Sequence, residues 1–387
     1  MGIKALYYIT HINNLPSILK HGILSHELVK QMNLQPTLIY DSQIVKDRRD
    51  IQTPDGKSLW EYANLYFKPQ NPMLYRVLCE RPAEEICILS IKPTIMKLPG
   101  VFVTDGNAAS SLTEFIRATK ENEEKIREII DRVNSLDWWA RANGTKRKIM
   151  AECLVPNKVP PEDIIKIYVV NHEVAKKIKS MLPQVNNIPI IPEKTMFFRP
   201  PREIHLTTNL TLVEGDMFLS RMQTLTISVN CVGVMGRGLA SRAKYQFPEV
   251  YVYYQELCKK KKLRMGKPYL YKSELSLDYE LADSPQTLSS MKETWFLLFP
   301  TKRHWRERAN KQGIERGLQW LVENYKKEGI ESLAIPALGC GLGWLRWEEM
   351  GPLLCKYLTK LDIPVQLYLP AEKEIPEEQL SKNFLLA

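Results

Sequence analysis

Hydrophobic and polar positions fall into two rhythms along the chain. In the first half, "ALYYIT" (5–10) reads as a strand, and "NNLPSILKHG" (13–22) as a helix capped by Asn13 or Asn14 and stopped by Gly22. A long charged helix is predicted over about 111–134, then a strand in "RKIMAECLVP" (147–156) that stops at Pro156. The run "IIKIYVV" (164–170) gives another strand and "HEVAKKIKSML" (172–182) another helix. Strands and helices mixed without regular alternation indicate an α+β domain.

The second half alternates. Strands are predicted at 205–216, 224–230, 294–300, 332–339 and 364–370, with helices at 238–260, 309–329 and 346–361 between them. That order implies an α/β domain with a mixed sheet sandwiched by helices. Between the halves, residues 181–204 hold five prolines and no helical repeat, which puts a boundary near residue 200 and domains at 1–200 and 201–387. A length of 387 residues suits two cores.

The net charge of +10 is spread as +6 over 1–200 (28 Lys and Arg against 22 Asp and Glu) and +4 over 201–387 (26 against 22). This is compatible with a polyanionic partner without naming one. Seven scattered cysteines, with no paired or Cys/His zinc-type spacing, point to buried thiols in a reducing compartment and predict no metal. The N-terminus lacks a signal-peptide pattern and no apolar run approaches the ~20 residues of a membrane span, so the expectation is a soluble cytoplasmic protein.

The candidate chemistry begins at "VNCVGVMGRGLA" (229–240), where Gly233, Gly236 and Gly238 follow an apolar β-branched run. No Gly-Lys-Ser/Thr follows, and the spacing is not that of a dinucleotide fingerprint. Three other segments accompany it: "EGDMF" (214–218) with Asp216, "FPTKRHWRE" (299–307) with Lys302, and the second glycine-rich loop "PALGCGLGWLRWEEM" (336–350). In an open α/β sheet all four fall at the carboxyl ends of strands, where ligands bind, and two such loops suit a pyrophosphate.

In this order the segments resemble the macrodomain, an ADP-ribose-binding fold, over about 205–370, and in particular the branch of DarG antitoxins and terminal ADP-ribose glycohydrolases. The resemblance implies that Asp216 holds adenine, that Asn230 and the loop with Gly233, Gly236, Gly238 and Leu239 flank the distal ribose, and that Gly339, Cys340, Gly341 and Leu342 bind the diphosphate. Lys302 matches the lysine that attacks or stabilises the anomeric carbon when ADP-ribose is removed; a lysine that only pairs with phosphate is the alternative. Some relatives carry an acid in the second loop where this chain has Gly343.

In the first half, "LYYITHINNLPSILKHG" (6–22), "DRRDIQTPDGKSLWEYANLYFKPQNPMLY" (47–75), "LPGVFVTDGN" (98–107) and "MAECLVP" (150–156) resemble the DarT family of NAD-dependent ADP-ribosyltransferases acting on single-stranded DNA. The resemblance covers about 4–200 and implies Glu152 as the catalytic glutamate, Arg49 as the catalytic arginine of the "RR" pair, and Tyr8, Thr10, Asn14 and Arg49 as NAD contacts. Tyr8 stands where many members have histidine. Cleaving the nicotinamide–ribose bond builds positive charge on C1, which a carboxylate offsets. Upstream, "LDWWARANGTKRK" (136–148) combines Trp138 and Trp139 with Arg141, Lys146, Arg147 and Lys148, the aromatic and cationic mixture that binds single strands, although a tryptophan pair also serves core packing.

These resemblances together imply a toxin–antitoxin fusion. An ADP-ribosyltransferase-like domain of α+β type would use NAD as substrate to modify a base, thymidine by the resemblance, in single-stranded DNA. A following α/β macrodomain would bind ADP-ribose and remove it, with contact between the two domains. Two alternatives stay open: a macrodomain that binds without hydrolysis, and a transferase acting on RNA or protein.

Overall fold

The computed structural model describes residues 3–39, 42–182, 188–274, 276–284, 288, 293–371 and 374–387. The chain forms two units. Residues up to Phe198 and the segment Leu281–Ser289 make the first; Arg199–Glu280 and Ser290–Ala387 make the second.

The first unit is built on an eight-stranded sheet. Its order is Ile190–Pro192, Ile164–Val169, Ile86–Ile91, Leu6–His11, Tyr62–Tyr66, Glu152–Pro156, Phe102–Thr104 and Phe115–Arg117. Every pairing is antiparallel except that of Ile190–Pro192 with Ile164–Val169. The run "ICILSI" at 86–91 is buried at all six positions, as its lack of polar alternation demands.

Three sequence expectations change here. The predicted helix 111–134 begins only at Glu123, where Glu123 and Glu124 occupy its first turn, and runs to Ser135; Phe115–Arg117 is an edge strand instead. The strand predicted from 147 starts at Glu152, because Thr145–Lys148 forms a turn of helix. The segment Leu281–Ser289 groups with the first unit: Leu281 accepts the Trp139 indole N–H at 3.0 Å, and Asp283 meets Arg76 at 2.8 Å.

The second unit holds a seven-stranded mixed sheet in the order Arg202–His205, Leu210–Glu214, Val365–Tyr368, Leu333–Pro336, Thr224–Asn230, Trp295–Lys302 and Tyr269–Lys272. The five inner strands are parallel and the two edges antiparallel. The predicted strand 205–216 is thus a hairpin, and the predicted helix 238–260 is two helices, Gly238–Gln246 and Pro248–Lys259, because Pro248 ends one and opens the next. The helix Lys311–Glu328 packs closely on the sheet through Gly317, where a Cβ would stand 2.5 Å from the Phe299 ring. Among the described residues no helix is long and apolar enough to cross a membrane.

Candidate functional site

Glu152 opens the strand Glu152–Pro156 opposite Tyr66 and has no exposed surface. Its own N–H donates to Thr104 Oγ1 at 2.9 Å, which fixes the start of the strand. Three N–H groups reach the carboxylate: Ala108 N to Oε1 at 2.9 Å, Arg48 Nη1 to Oε1 at 3.1 Å and Arg48 Nη2 to Oε2 at 2.7 Å. The Arg48 pair is bidentate, the strong geometry for guanidinium and carboxylate. Burial works against the Arg48 charge, but the Glu152 carboxylate outweighs it and raises the guanidinium further. Burial, and next the Glu152 charge, likewise push the Tyr66 phenol up.

The guanidinium on the carboxylate is Arg48, the neighbour of the Arg49 expected to act in catalysis. Both residues end the helix Ser42–Arg49, and neighbours on a helix point ~100° apart. Arg48 turns inward, while Arg49 is exposed and lies 5.3 Å over the Trp60 ring.

A cavity of about 340 Å³ opens beside this pair, and Tyr8, Thr10, Asn14 and Arg48 are among its lining residues. Tyr8 and Thr10 share one face of the strand Leu6–His11 by its two-residue period. Asn14 clasps the wall: Nδ2 donates to Thr10 Oγ1 at 3.1 Å and to Thr37 O at 2.9 Å, and Oδ1 accepts Thr37 N–H at 2.8 Å. Both Nδ2 hydrogens are used on the chain, while Oδ1, with one bond accepted, keeps a second lone pair. His26 also lines the cavity, its ring 5.6 Å from Trp60, and burial together with the Arg48 charge pushes it down to about 4.

Part of the run 136–148 is taken up by packing and pairing within the first unit. Trp139 is 4% exposed and packs edge-on against Phe198. Lys146 is buried, and Arg147 is held by Asp105 through bonds of 2.8 and 2.9 Å. Trp138 and Lys148 are half-buried, and only Arg141 of the six is exposed.

In the second unit, the parallel strands bring the expected residues to one edge of the sheet. Asn230 and Lys302 are register partners at the ends of Thr224–Asn230 and Trp295–Lys302. The two glycine-rich loops meet there: a Cβ on Gly238 would lie 3.4 Å from Leu342 Cδ1, and Lys302 Nζ donates to Leu342 O at 2.9 Å. Desolvation between them lowers the Lys302 pKa, against the smaller opposite effect of Glu307.

Gly233, Gly238 and Gly339 adopt φ of +83°, +61° and +83°, which favour glycine, and a Cβ on Gly236 would meet Val234 Cγ1 at 3.9 Å, an ordinary contact. Leu239 follows on the first helical turn, and Gly341 and Leu342 are exposed, whereas Cys340 is buried and can offer a ligand only backbone. A Cβ on Gly343 would stand 2.5 Å from Gly339 O, so the loop closes on itself where some relatives carry an acid.

Two expected ligand contacts are already engaged. Asn230 is a loop staple, with Nδ2 donating to Val234 O at 2.6 Å and Oδ1 accepting from Val232 N at 3.0 Å and Tyr254 Oη at 2.8 Å. Asp216 caps Phe218 N–H at 3.0 Å and pairs with Arg242 at 2.6 Å. Arg242 and Tyr254 escaped the sequence reading because nothing in their helices marks them apart from surface and core positions. No group of three or more metal-ligating side chains stands together among the described residues.

The chain is 58% identical over 386 residues to the DNA ADP-ribosyl transferase–DNA ADP-ribosyl glycohydrolase fusion protein of Thermosipho africanus, covering 99% of this chain and 98% of that one. It belongs to that family of fusions. The solved structure of Thermosipho africanus DarTG in complex with ADP-ribose superposes with a TM-score of 0.92 at 57% identity, covering 99% of this chain and all of that one. Family models match the two halves of the fusion: ssDNA thymidine ADP-ribosyltransferase, DarT, over residues 7–198, and the macro domain over 287–353. A DNA ADP-ribosyl glycohydrolase of Mycobacterium tuberculosis is 32% identical over 163 residues, 42% of each chain.

Proposed function

We propose that the first unit transfers ADP-ribose from NAD to a base of single-stranded DNA, thymidine by family, and that the second binds the mark and hydrolyses it off, both in the cytoplasm. The buried Glu152–Arg48 pair beside the cavity carries the first half of this reading. NAD would bind along Tyr8 and Thr10, with Arg48 turning from Glu152 toward phosphate or the acceptor base. The freed carboxylate then faces the ribose hydroxyls. As the C1–N bond breaks, its electron pair leaves with nicotinamide, and Glu152 offsets the charge on C1. The acceptor nitrogen gives up its proton to Glu152 and bonds to C1.

In the second unit, ADP-ribose lies between the loops at 231–239 and 338–343, its diphosphate on backbone N–H groups. The lowered pKa of Lys302 raises the neutral fraction of an amine placed between those loops, which suits attack on C1 before water completes the release.

Mass spectrometry of single-stranded oligonucleotides incubated with NAD tests the transferase. Lys302→Ala protein should add one ADP-ribosyl group, and Lys302→Ala/Glu152→Ala protein none. Absence of modification by Lys302→Ala protein on every DNA sequence tried, with RNA or protein labelled instead, would move the activity to another acceptor.

A further inference from the structure

Arg49 does not reach Glu152, which Arg48 holds, and lies instead over the ring of Trp60. We infer that these two residues form the platform on which an unpaired base of the acceptor strand stacks beside the transferase cavity, an inference that rests on the first unit modifying single-stranded DNA.

The two side chains are built to stay together. The Trp60 indole N–H donates to Val45 O at 2.6 Å, which fixes the ring against the helix that ends in Arg49. Ser58 Oγ donates to Arg49 O at 2.6 Å, and Ser58 also caps the turn Leu59–Glu61 that carries Trp60, in a reciprocal capping box with Glu61. The Arg49 guanidinium lies 5.3 Å over the ring and makes no ion pair among the described residues, although it is exposed. His26, its ring centroid 5.6 Å from that of Trp60, lines the cavity that Arg48 also lines. Lys46, one turn before Arg49, and Lys57 are also exposed.

Indole and guanidinium have flat faces that stack on any base, and the flanking cations suit the phosphates of one strand. A duplex hides its base faces, so this arrangement selects an unpaired strand and delivers the next base toward Arg48 and Glu152. In the run 136–148, by contrast, Trp139 and Lys146 are buried and Arg147 is paired with Asp105.

The test uses the full chain carrying Lys302→Ala, with a fluorescent single-stranded oligonucleotide titrated at several salt concentrations. Trp60→Ala should weaken binding about tenfold. Arg49→Ala should weaken it too and reduce the salt slope by about one phosphate contact. Trp60→Phe, which keeps a stacking ring, should fall between, and Arg127→Ala, an equal loss of charge elsewhere, should not change the slope as Arg49→Ala does. In turnover, the oligonucleotide KM should rise while the KM for NAD moves less than about twofold. Unchanged affinity in Trp60→Ala and Arg49→Ala proteins, or a KM for NAD that rises as much as that for DNA, would overturn the inference. Failure of the parent protein to bind or modify any DNA would instead overturn the reading beneath it.

Discussion

The choice of Arg48 over its neighbour can be tested through the stability of the strand that carries Glu152. Arg48→Ala strips two hydrogen bonds from a carboxylate with no exposed surface, leaving only the Ala108 N–H on it. Removing one partner of a buried pair costs about 3–5 kcal/mol. The surviving Ala108 bond and the 13% exposure of the Arg48 side chain place this site at the lower end, about 3 kcal/mol. Arg49→Ala removes only an exposed cation–π contact, about 0.5–1 kcal/mol. The difference of about 2 kcal/mol is a roughly 30-fold difference in opening equilibrium. Hydrogen–deuterium exchange at the Cys153 and Leu154 amides reads that equilibrium. A cycle completes the test: in a Glu152→Gln background the cost of Arg48→Ala should fall to about 1 kcal/mol, since no buried charge is then stranded. Equal losses from Arg48→Ala and Arg49→Ala, or costs that simply add across the cycle, would refute the assignment.

Three further outcomes follow from the geometry. Gly343→Ala drives a Cβ into the Gly339 carbonyl and should lower ADP-ribose affinity at least tenfold by calorimetry, without altering nicotinamide release by the first unit. Release of ADP-ribose should rise with pH to a midpoint below the ordinary lysine value of ~10.5, because desolvation lowers Lys302, and Lys302→Arg should bind ADP-ribose but show no such rise. Hydrogen bonds from Arg147 hold Asp105 below its ordinary range, so the pair's stabilisation is complete above the unfolded value of ~3.9 and is lost as pH falls through the lower folded value. Arg147→Ala should therefore cost about 1–2 kcal/mol in denaturant unfolding at pH 7 and progressively less as pH falls below the ordinary aspartate value of ~3.9.

The sequence carried the architecture of the second unit well, because strands buried on both faces read as apolar runs and its helices alternate with them. Its failures were local and physical. The break at Pro248 was written in the sequence, but the apolar pattern runs across it and suggests one helix. The false start of the helix at 111 came from charge density, which does not separate a polar loop and edge strand from a helix that starts at Glu123. Glu152 and Lys302 stood out as candidates because each lies in a distinctive segment. Which arginine meets Glu152 was not legible, since "RR" gives two identical side chains and only the facing of a short helix decides between them. Trp139 shows the same limit: a tryptophan beside cations reads as a nucleic-acid contact until its indole N–H is found on Leu281.

The central claim is that one half of the chain erases what the other half writes. An oligonucleotide modified by Lys302→Ala protein and NAD, freed of both, should be treated with Glu152→Ala protein and its mass followed with time. The account predicts return to the unmodified mass with free ADP-ribose released in equal amount, and no return when Lys302→Ala is added to Glu152→Ala. A mark that persists under Glu152→Ala protein, bound but uncleaved, would contradict it.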